Sequence, residues 1–554
     1  MKRIIAFALG AVVTVAAAAQ SWQDALYFSE NNYVGTARSL GMGNALTAVG
    51  GDLGSIGLNP AGAAVAGYSQ IVISPGFSLS ATNAKGVEDG IGLGNLIHSN
   101  YARFKLSNVG FVINADTGRR SGWKRFSFGL VSNATNDFTG RVIGSGVNDD
   151  NSFAAALASS AEGYAENVLG SEDWWYDGSD QSRMPAWMDM VGYRSGMFNG
   201  IPESANRYQA VTESRNASQE CRLTDSIFQK YGQQTRGYKH DMVFTMAGNY
   251  SDKLYIGVNL GVVLLNYNLS EYWQESPETS GENWDIEYTD GTSGRFAMLQ
   301  MNRNYSLTGS GVYLKGGLLW RPFAGLRLGL GIQTPTLTNL RARQAYSGTV
   351  KITGKNLPSS TSPEDDWSFR LRQPWRLNAG LAYSFGSWAV LSADYEMTNY
   401  GCARYSVRSS SMPGYLNDAN ADINDALGVG HQVRAGLEVK PVSFLSVRAG
   451  YNYITTGQRN WLNEDWTTTP LSTADKYRQA KHSVSLGAGT TFGAFFLDAA
   501  VRVRFIPVNY ILTYNYYTYD TDFLNKRVDH SVVTPELEVR SRLWDALITL
   551  GWRF

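Results

Sequence analysis

The chain has 554 residues, and its 48 Lys plus Arg balance 48 Asp plus Glu, giving a formal net charge of zero. That balance excludes a basic nucleic-acid surface, and a total of 2 cysteines, Cys221 and Cys402, excludes a disulfide scaffold. The 58 Gly, 31 Tyr and 15 Trp favour a wall with small residues on one face and aromatic collars on the other.

In chain order, Lys2 and Arg3 precede an apolar run from Ile4 to Ala19, and Ala17-Ala18-Ala19 stands before Gln20. A charged start, a short apolar stretch and small residues read as a secretory signal peptide over 1–19, so the mature protein is expected to begin at Gln20. No Cys follows the cleavage site, and a lipid anchor is not expected. Beyond it no uninterrupted apolar stretch approaches the roughly 20 residues that a spanning helix needs. An exported chain of this kind is either periplasmic or a β-barrel. Export permits a Cys221–Cys402 bond; two unpaired thiols are the alternative.

Residues 20–67 are rich in Gly and Ala and show no sustained alternation. Leu40, Met42, Leu46, Val49, Leu53, Ile56 and Leu58 make them too apolar for a solvated tail. The segment reads as a plug inside a lumen.

From Tyr68 onward apolar residues recur at every second position, which puts them on one face of a strand. Leu254, Ile256, Val258, Leu260, Val262 and Leu264 oppose Gly257, Asn259 and Gly261; Trp375 to Phe385, Val433 to Val439, Leu445 to Tyr453, Val484 to Phe492 and Leu497 to Phe505 repeat the pattern. Each run is about ten residues, the length a tilted strand needs to cross hydrocarbon. Short turns such as Ser251-Asp252-Lys253 alternate with long connections near 83–100, 138–236, 271–300, 341–365, 406–428, 458–477 and 518–533. Threading strands between them gives an all-β fold, a transmembrane antiparallel β-barrel of about 14 strands over 68–554 with the plug in its lumen. The last strand, Trp544 to Phe554, alternates most strictly and ends on Phe, as a closing strand would.

The loop at 138–236 far exceeds ordinary loop length. Phe153, Ala156, Leu157, Tyr164 and Val168 fall at helical spacing within it, and Trp174, Trp175, Trp187 and Met188 add aromatic and apolar surface. Two readings stay open: a cap packed on itself, or a greasy landing surface above the barrel mouth. On the polar faces of consecutive strands lie Arg376, Asp394, Glu396, Arg434, Glu438, Arg448, Arg502 and Arg504. They are either a mutually neutralising ladder or include an arginine, Arg376, Arg434 or Arg448, that meets a ligand carboxylate bidentately. The five histidines have no metal-ligand spacing, and no G-x-S-x-G elbow is present. No enzyme, cofactor or metal is expected.

Inside the plug stand Gly35-Thr36-Ala37-Arg38-Ser39-Leu40-Gly41-Met42-Gly43-Asn44-Ala45 and then Asn59-Pro60-Ala61-Gly62. This resembles the N-terminal hatch of the FadL/TodX family of outer-membrane transporters for long-chain fatty acids and aromatic hydrocarbons. Gln373 to Tyr383, Ser392 to Glu396 and Ser446 to Tyr451 resemble mid-barrel strands of the same family. The resemblance implies a Gram-negative outer-membrane protein that passively moves hydrophobic small molecules, with Arg38, Asn59, Pro60, Ala61 and Gly62 forming the hatch. It implies lateral exit into the bilayer, contact with outer-membrane lipid and lipopolysaccharide, and the barrel-assembly machinery as a partner in biogenesis. Some barrels of this type serve protein secretion without transport, which is the alternative reading.

Overall fold

In the computed structural model, fourteen antiparallel strands hydrogen-bond in a closed ring. The described residues are 20–87, 91–172, 185–202, 204–216, 220–287, 293–407, 414–462, 467–521 and 527–554. The signal-peptide segment, Trp174 and Trp175 lie outside them. In chain order the wall consists of β1 (Gln70–Gly86), β2 (Ile97–Asp116), β3 (Trp123–Asp137), β4 (Ile227–Tyr250), β5 (Leu254–Pro277) and β6 (Ser293–Trp320). Then come β7 (Leu326–Gln333, resumed as Thr336–Thr353) and β8 (Asp365–Gln373, resumed as Arg376–Phe385). The ring is completed by β9 (Ala389–Asn399), β10 (Val429–Val442), β11 (Leu445–Ile454), β12 (Lys481–Phe492), β13 (Phe495–Phe505) and β14 (Glu536–Arg553). β14 closes on β1 from Gln70↔Arg553 to Gly86↔Leu537, and Ser69 and Phe554 exchange two backbone hydrogen bonds of 3.0 Å.

Alternation in sequence becomes inside and outside of the wall. Ile256, Val258 and Leu260 of β5 face out, while Asn259 is fully buried in the lumen. On β14, Trp544, Ile548, Leu550, Trp552 and Phe554 face out, and Asp545 and Thr549 are buried. No helix among the described residues is long and apolar enough to cross a membrane; the continuous apolar outer belt crosses with strands.

The upper strands run further than alternation indicates. β5 extends to Pro277, β6 starts at Ser293 and β7 continues to Thr353, so much of 271–300 and 341–365 is strand rather than loop. Above the apolar belt neither face meets hydrocarbon, so the period-two signal fades while the backbone ladder continues. Pro335 and Pro374 interrupt β7 and β8 side by side, between the pairs Gln333↔Arg376 and Thr336↔Gln373. A proline cannot donate to the ladder, so both strands break at one level.

Residues 20–66 fill the lumen as three short helices, α1 (Trp22–Ser29), α2 (Ala37–Gly41) and α3 (Leu53–Ile56), and a 3-10 turn at Pro60–Ala64. Each start is capped by its own side chain: Ser21 with Asp24 in a capping box, Thr36 on Ser39 N, Asp52 on Gly54 N, and Asn59 on Ala61 N. At the end of the barrel with the long connections, α4 (Phe153–Ser160), α5 (Glu166–Gly170) and α6 (Trp187–Arg194) form a cap with a shared apolar core. Among the described residues α7 (Gly414–Ala426) and α8 (Thr473–Arg478) lie in later long connections.

Candidate functional site

The plug sits in hollows made by paired wall glycines. Gly257 and Gly317 face each other across β5 and β6, and Pro60 lies against both. A Cβ on Gly257 would fall 2.5 Å from the Pro60 carbonyl carbon, and one on Gly317 2.6 Å from its Cδ. Around the ring, Gly329 and Gly380 pair beneath Thr47 and Ala48, and Gly436 and Gly450 pair beneath Met42 and Gly43. At each place an added methyl would overlap plug atoms, so these positions are small because the plug is close.

Side chains then fix the plug at named points. Asn59 is 1% exposed, and its amide donates to Thr47 O at 2.8 Å and Leu318 O at 3.1 Å while its Oδ1 accepts from Ala61 N at 3.1 Å. One residue thus ties two plug turns to the wall. Gly62 N donates to Asn59 O at 3.0 Å and Gly62 O accepts from Gly51 N at 2.9 Å. Two buried wall lysines hold plug helices by their carbonyl ends. Lys239 donates to Phe28 O (2.9 Å), Asn31 Oδ1 (3.0 Å) and Gln373 Oε1 (3.1 Å), and Lys315 donates to Gly57 O (2.7 Å). A cation at a helix C-terminus is favoured by the helix dipole.

Three carboxylate-centred clusters complete the grip. Glu396 accepts from Arg376, Arg434 and the Tyr33 hydroxyl, and the Arg434 guanidinium lies 5.3 Å from the Tyr33 ring centroid. Glu438 accepts from Arg38 at 2.9 and 3.1 Å and from Arg448 at 2.6 Å, and Arg448 continues to Asp498. Asp545 accepts from Arg502, is paired with Arg504 at 3.4 Å, and is met by Lys105. Buried charges persist only when paired in this way.

The wall has a seam beside the third cluster. β2 and β3 pair from Asp116↔Arg125 up to Asn108↔Asn133 and no further. Above that level β2 continues on β1 alone, and the free edge of β3 is taken by the plug: Asn32 N donates to Thr135 O at 2.6 Å and Val34 N to Ala134 O at 3.0 Å. The chain then bends at Phe138-Thr139, and Gly140–Asn148 pairs with β4. Side chains bridge the interval. Arg103 donates to Gly237 O at 2.8 Å, Ser99 to Arg141 O at 2.9 Å, and Lys105 to Ser78 Oγ at 2.6 Å and Asp137 at 3.3 Å.

Beneath the cap is a small cleft lined by Leu93, Phe153, Tyr231, Trp273 and Tyr514 among others. Phe153 and Trp273 stack with ring centroids 5.2 Å apart. The polar atoms here are engaged within the protein. Glu275 accepts from the Phe153 and Ala154 amides at the start of α4 and from Gln229, Trp273 Nε1 donates to Thr513 O, and Tyr231 donates to Glu271. What faces the cleft is therefore ring and hydrocarbon.

No protein-family model matches this sequence, and no curated protein matches it. Among solved structures it is similar to a FadL homologue of Pseudomonas aeruginosa, at 13% identity and TM-score 0.47, with 94% of this chain and 98% of that one covered. It is similar to the Pseudomonas putida toluene transporter TodX, at 13% identity, TM-score 0.44 and the same coverage of both chains. The Ralstonia pickettii toluene transporter TbuX stands at 14% identity and TM-score 0.44, again covering 94% and 98%. All three likenesses are distant.

The residues singled out from sequence fall as follows. Arg38, Asn59, Pro60, Ala61 and Gly62 all lie in the plug, with Arg38 on wall residue Glu438 and Asn59 and Pro60 against β5 and β6. Arg376, Arg434 and Arg448 are 5% exposed or less and already hold the protein's own carboxylates. All three belong to a ladder of internal ion pairs. Trp187 opens α6 and is half-buried against the cap core, and Phe153, Leu157 and Met188 are buried within that core. These cap residues pack on one another, and Trp174 and Trp175 lie outside the described residues. Cys221 and Cys402 are both unpaired. Sequence reasoning missed Tyr33, Lys239, Lys315 and Lys105. An isolated lysine among apolar strand positions was the available signal for Lys315.

Proposed function

We propose that this chain is a FadL-type barrel of a Gram-negative outer membrane, passively moving hydrophobic small molecules through a plugged lumen, with a long-chain fatty acid or a similar hydrophobe as cargo. The carrying observation is the seam: the β2–β3 ladder ends at Asn108↔Asn133, and plug residues Asn32 and Val34 occupy the edge of β3 above it. A wall that gives up its own ladder beside its plug supports a lateral way out into lipid, controlled by plug position. The names of the neighbouring solved structures, toluene transporters and a FadL homologue, point the same way. The arginines contribute rigidity rather than ligand capture.

The test is uptake of labelled hydrophobes by cells with and without this protein at matched surface level. Uptake should rise with the protein. The double variant Asn59→Ala, Pro60→Ala should stay heat-modifiable yet change uptake or small-solute leakage, because it removes the amide that ties the Thr47 turn of the plug to Leu318 of the wall. No uptake of any fatty acid or aromatic hydrocarbon by the unmodified protein would overturn the reading.

A further inference from the structure

Gln20 sits where a polar side chain is costly. It is 5% exposed, and neither its side-chain Nε2 nor its Oε1 has a hydrogen-bond partner among the described residues. Immediately after it the capping box opens α1: Asp24 N donates to Ser21 Oγ at 3.1 Å, and Ser21 N donates to Asp24 Oδ2 at 3.4 Å. The buried Tyr405 hydroxyl donates to Ser21 O at 3.0 Å. The helix then places Ala25, Leu26 and Phe28 in one apolar cluster with Phe138, Tyr267 and Tyr405.

Removal of residues 1–19 puts an α-amine on Gln20. A cation is disfavoured at this end of a helix, where the dipole is positive. The carboxylate of the capping box already accepts from the Ser21 amide, and burial raises Asp24 to about 6. The same burial disfavours an ammonium. A carboxamide buried with both polar atoms unbonded adds a second cost. Both costs are relieved by one reaction between groups that Gln20 itself carries.

We infer that Gln20 is a modification site: as the N-terminus of the processed plug it closes to a pyroglutamyl lactam, which frees the start of α1 of its positive charge. The neutral α-amine attacks the side-chain Cδ. The new N–Cδ bond replaces the Cδ–Nε2 bond, and one proton of the α-amine leaves with Nε2 as ammonia. No oxidant or co-reactant is consumed. The product is uncharged and keeps one N–H and one C=O where an ammonium and a carboxamide stood. The inference rests on cleavage before Gln20 and is independent of what the barrel transports.

The experiment expresses the full chain, isolates the membrane fraction and labels every free α-amine before digestion. The N-terminal peptide should escape the label and be lighter than the Gln20 peptide by one ammonia in mass spectrometry. A labelled peptide beginning at Gln20 would overturn the proposal. A peptide beginning elsewhere would overturn it too, and would locate the failure in cleavage rather than in cyclisation. Q20A supplies the second arm, because alanine cannot cyclise and retains the charge. Its barrel should stay heat-modifiable, while amide exchange at Ala25 and Leu26 should run roughly two- to fivefold faster than in the parent at pH 6, the effect of an unfavourable charge at a helix end. That excess should disappear above about pH 8, where an α-amine loses its proton. Equal exchange in Q20A, or an excess that persists at high pH, would overturn the charge-relief role. Hydrophobe uptake enters neither readout, so the transport reading stands or falls separately.

Discussion

Arg502 donates to the Tyr33 carbonyl at 2.7 Å while its other nitrogens hold Asp545 at 2.8 and 3.0 Å. One guanidinium therefore joins the plug to the carboxylate that also receives Lys105 at the seam. Tyr33 in turn reaches Glu396 with its hydroxyl, at 3.3 Å. Through this residue two of the three buried charge clusters share a single plug segment, next to the two amides that occupy β3.

Arg502→Leu should lower stability by about 3–5 kcal/mol, because it leaves a buried carboxylate short of its main partner. The checking measurement is the denaturant midpoint at which the compact, heat-modifiable band disappears. The same substitution should loosen residues 32–34, read as faster amide exchange at Val34. A variant with an unchanged midpoint would mean that Lys105 and Arg504 suffice for Asp545.

Gly317→Val should spare the wall and unseat the plug. The outward face of β6 is untouched, while the added side chain would occupy the space of Asn59 and Pro60. Cells carrying it should become permeable to small solutes that the parent barrel excludes, in a dye-influx assay. Gly316→Val, one residue away on the open outer face where the nearest atom to an added Cβ is 3.9 Å off, should behave as the parent.

Cap stability should fall as pH rises. Asp189 is 2% exposed and accepts from Ser160 Oγ at 2.7 Å, and burial pushes its carboxyl up to about 7. Glu213 is likewise raised to about 7 by burial. A raised acid binds its proton more tightly folded than unfolded, so its contribution is present at low pH and is lost as pH climbs from the ordinary carboxylate range to about 7. Limited proteolysis of 150–223 should be slower at pH 5.5 than at pH 8. Asp189→Asn should flatten part of that difference and protect the cap at pH 8.

Phe554→Asp should impair insertion. Phe554 is 55% exposed on the outer face, packs at 4.9 Å against Trp552, and exchanges backbone hydrogen bonds with Ser69 at the closing seam. A carboxylate there puts a charge on the lipid side. Yield of heat-modifiable protein in the membrane fraction is the readout, and an unchanged yield would count against a role for the terminal ring.

The barrel was legible because hydrocarbon imposes a one-sided pattern. Ile256, Val258 and Leu260 alternate with Gly257 and Asn259 for a physical reason that any ten-residue window displays, and the connections then count out fourteen strands. The seam was not legible. Nothing in Asn32 or Val34 marks a backbone amide that will pair with Ala134 or Thr135, because such bonds carry no side-chain signature. The arginine ladder was half-visible: the polar faces identified the residues, but which carboxylate meets which guanidinium depends on register across strands far apart in sequence. Asn59-Pro60 stood out as a bend, and only the Gly257–Gly317 hollow showed what that bend fits.

The glycine hollows have a consequence for how the molecule is made. The plug precedes every wall strand in sequence, yet its docking points are spread over strands from β3 to β14; the Ala37 amide donates to Thr549 Oγ1, 512 positions away. Until the last strand arrives the plug has an incomplete socket, and contacts of such long sequence separation form slowly. Closure of the ring around the waiting N-terminal segment would then be the rate-limiting event of biogenesis, and the segment would act as a mandrel on which the final strands find their register.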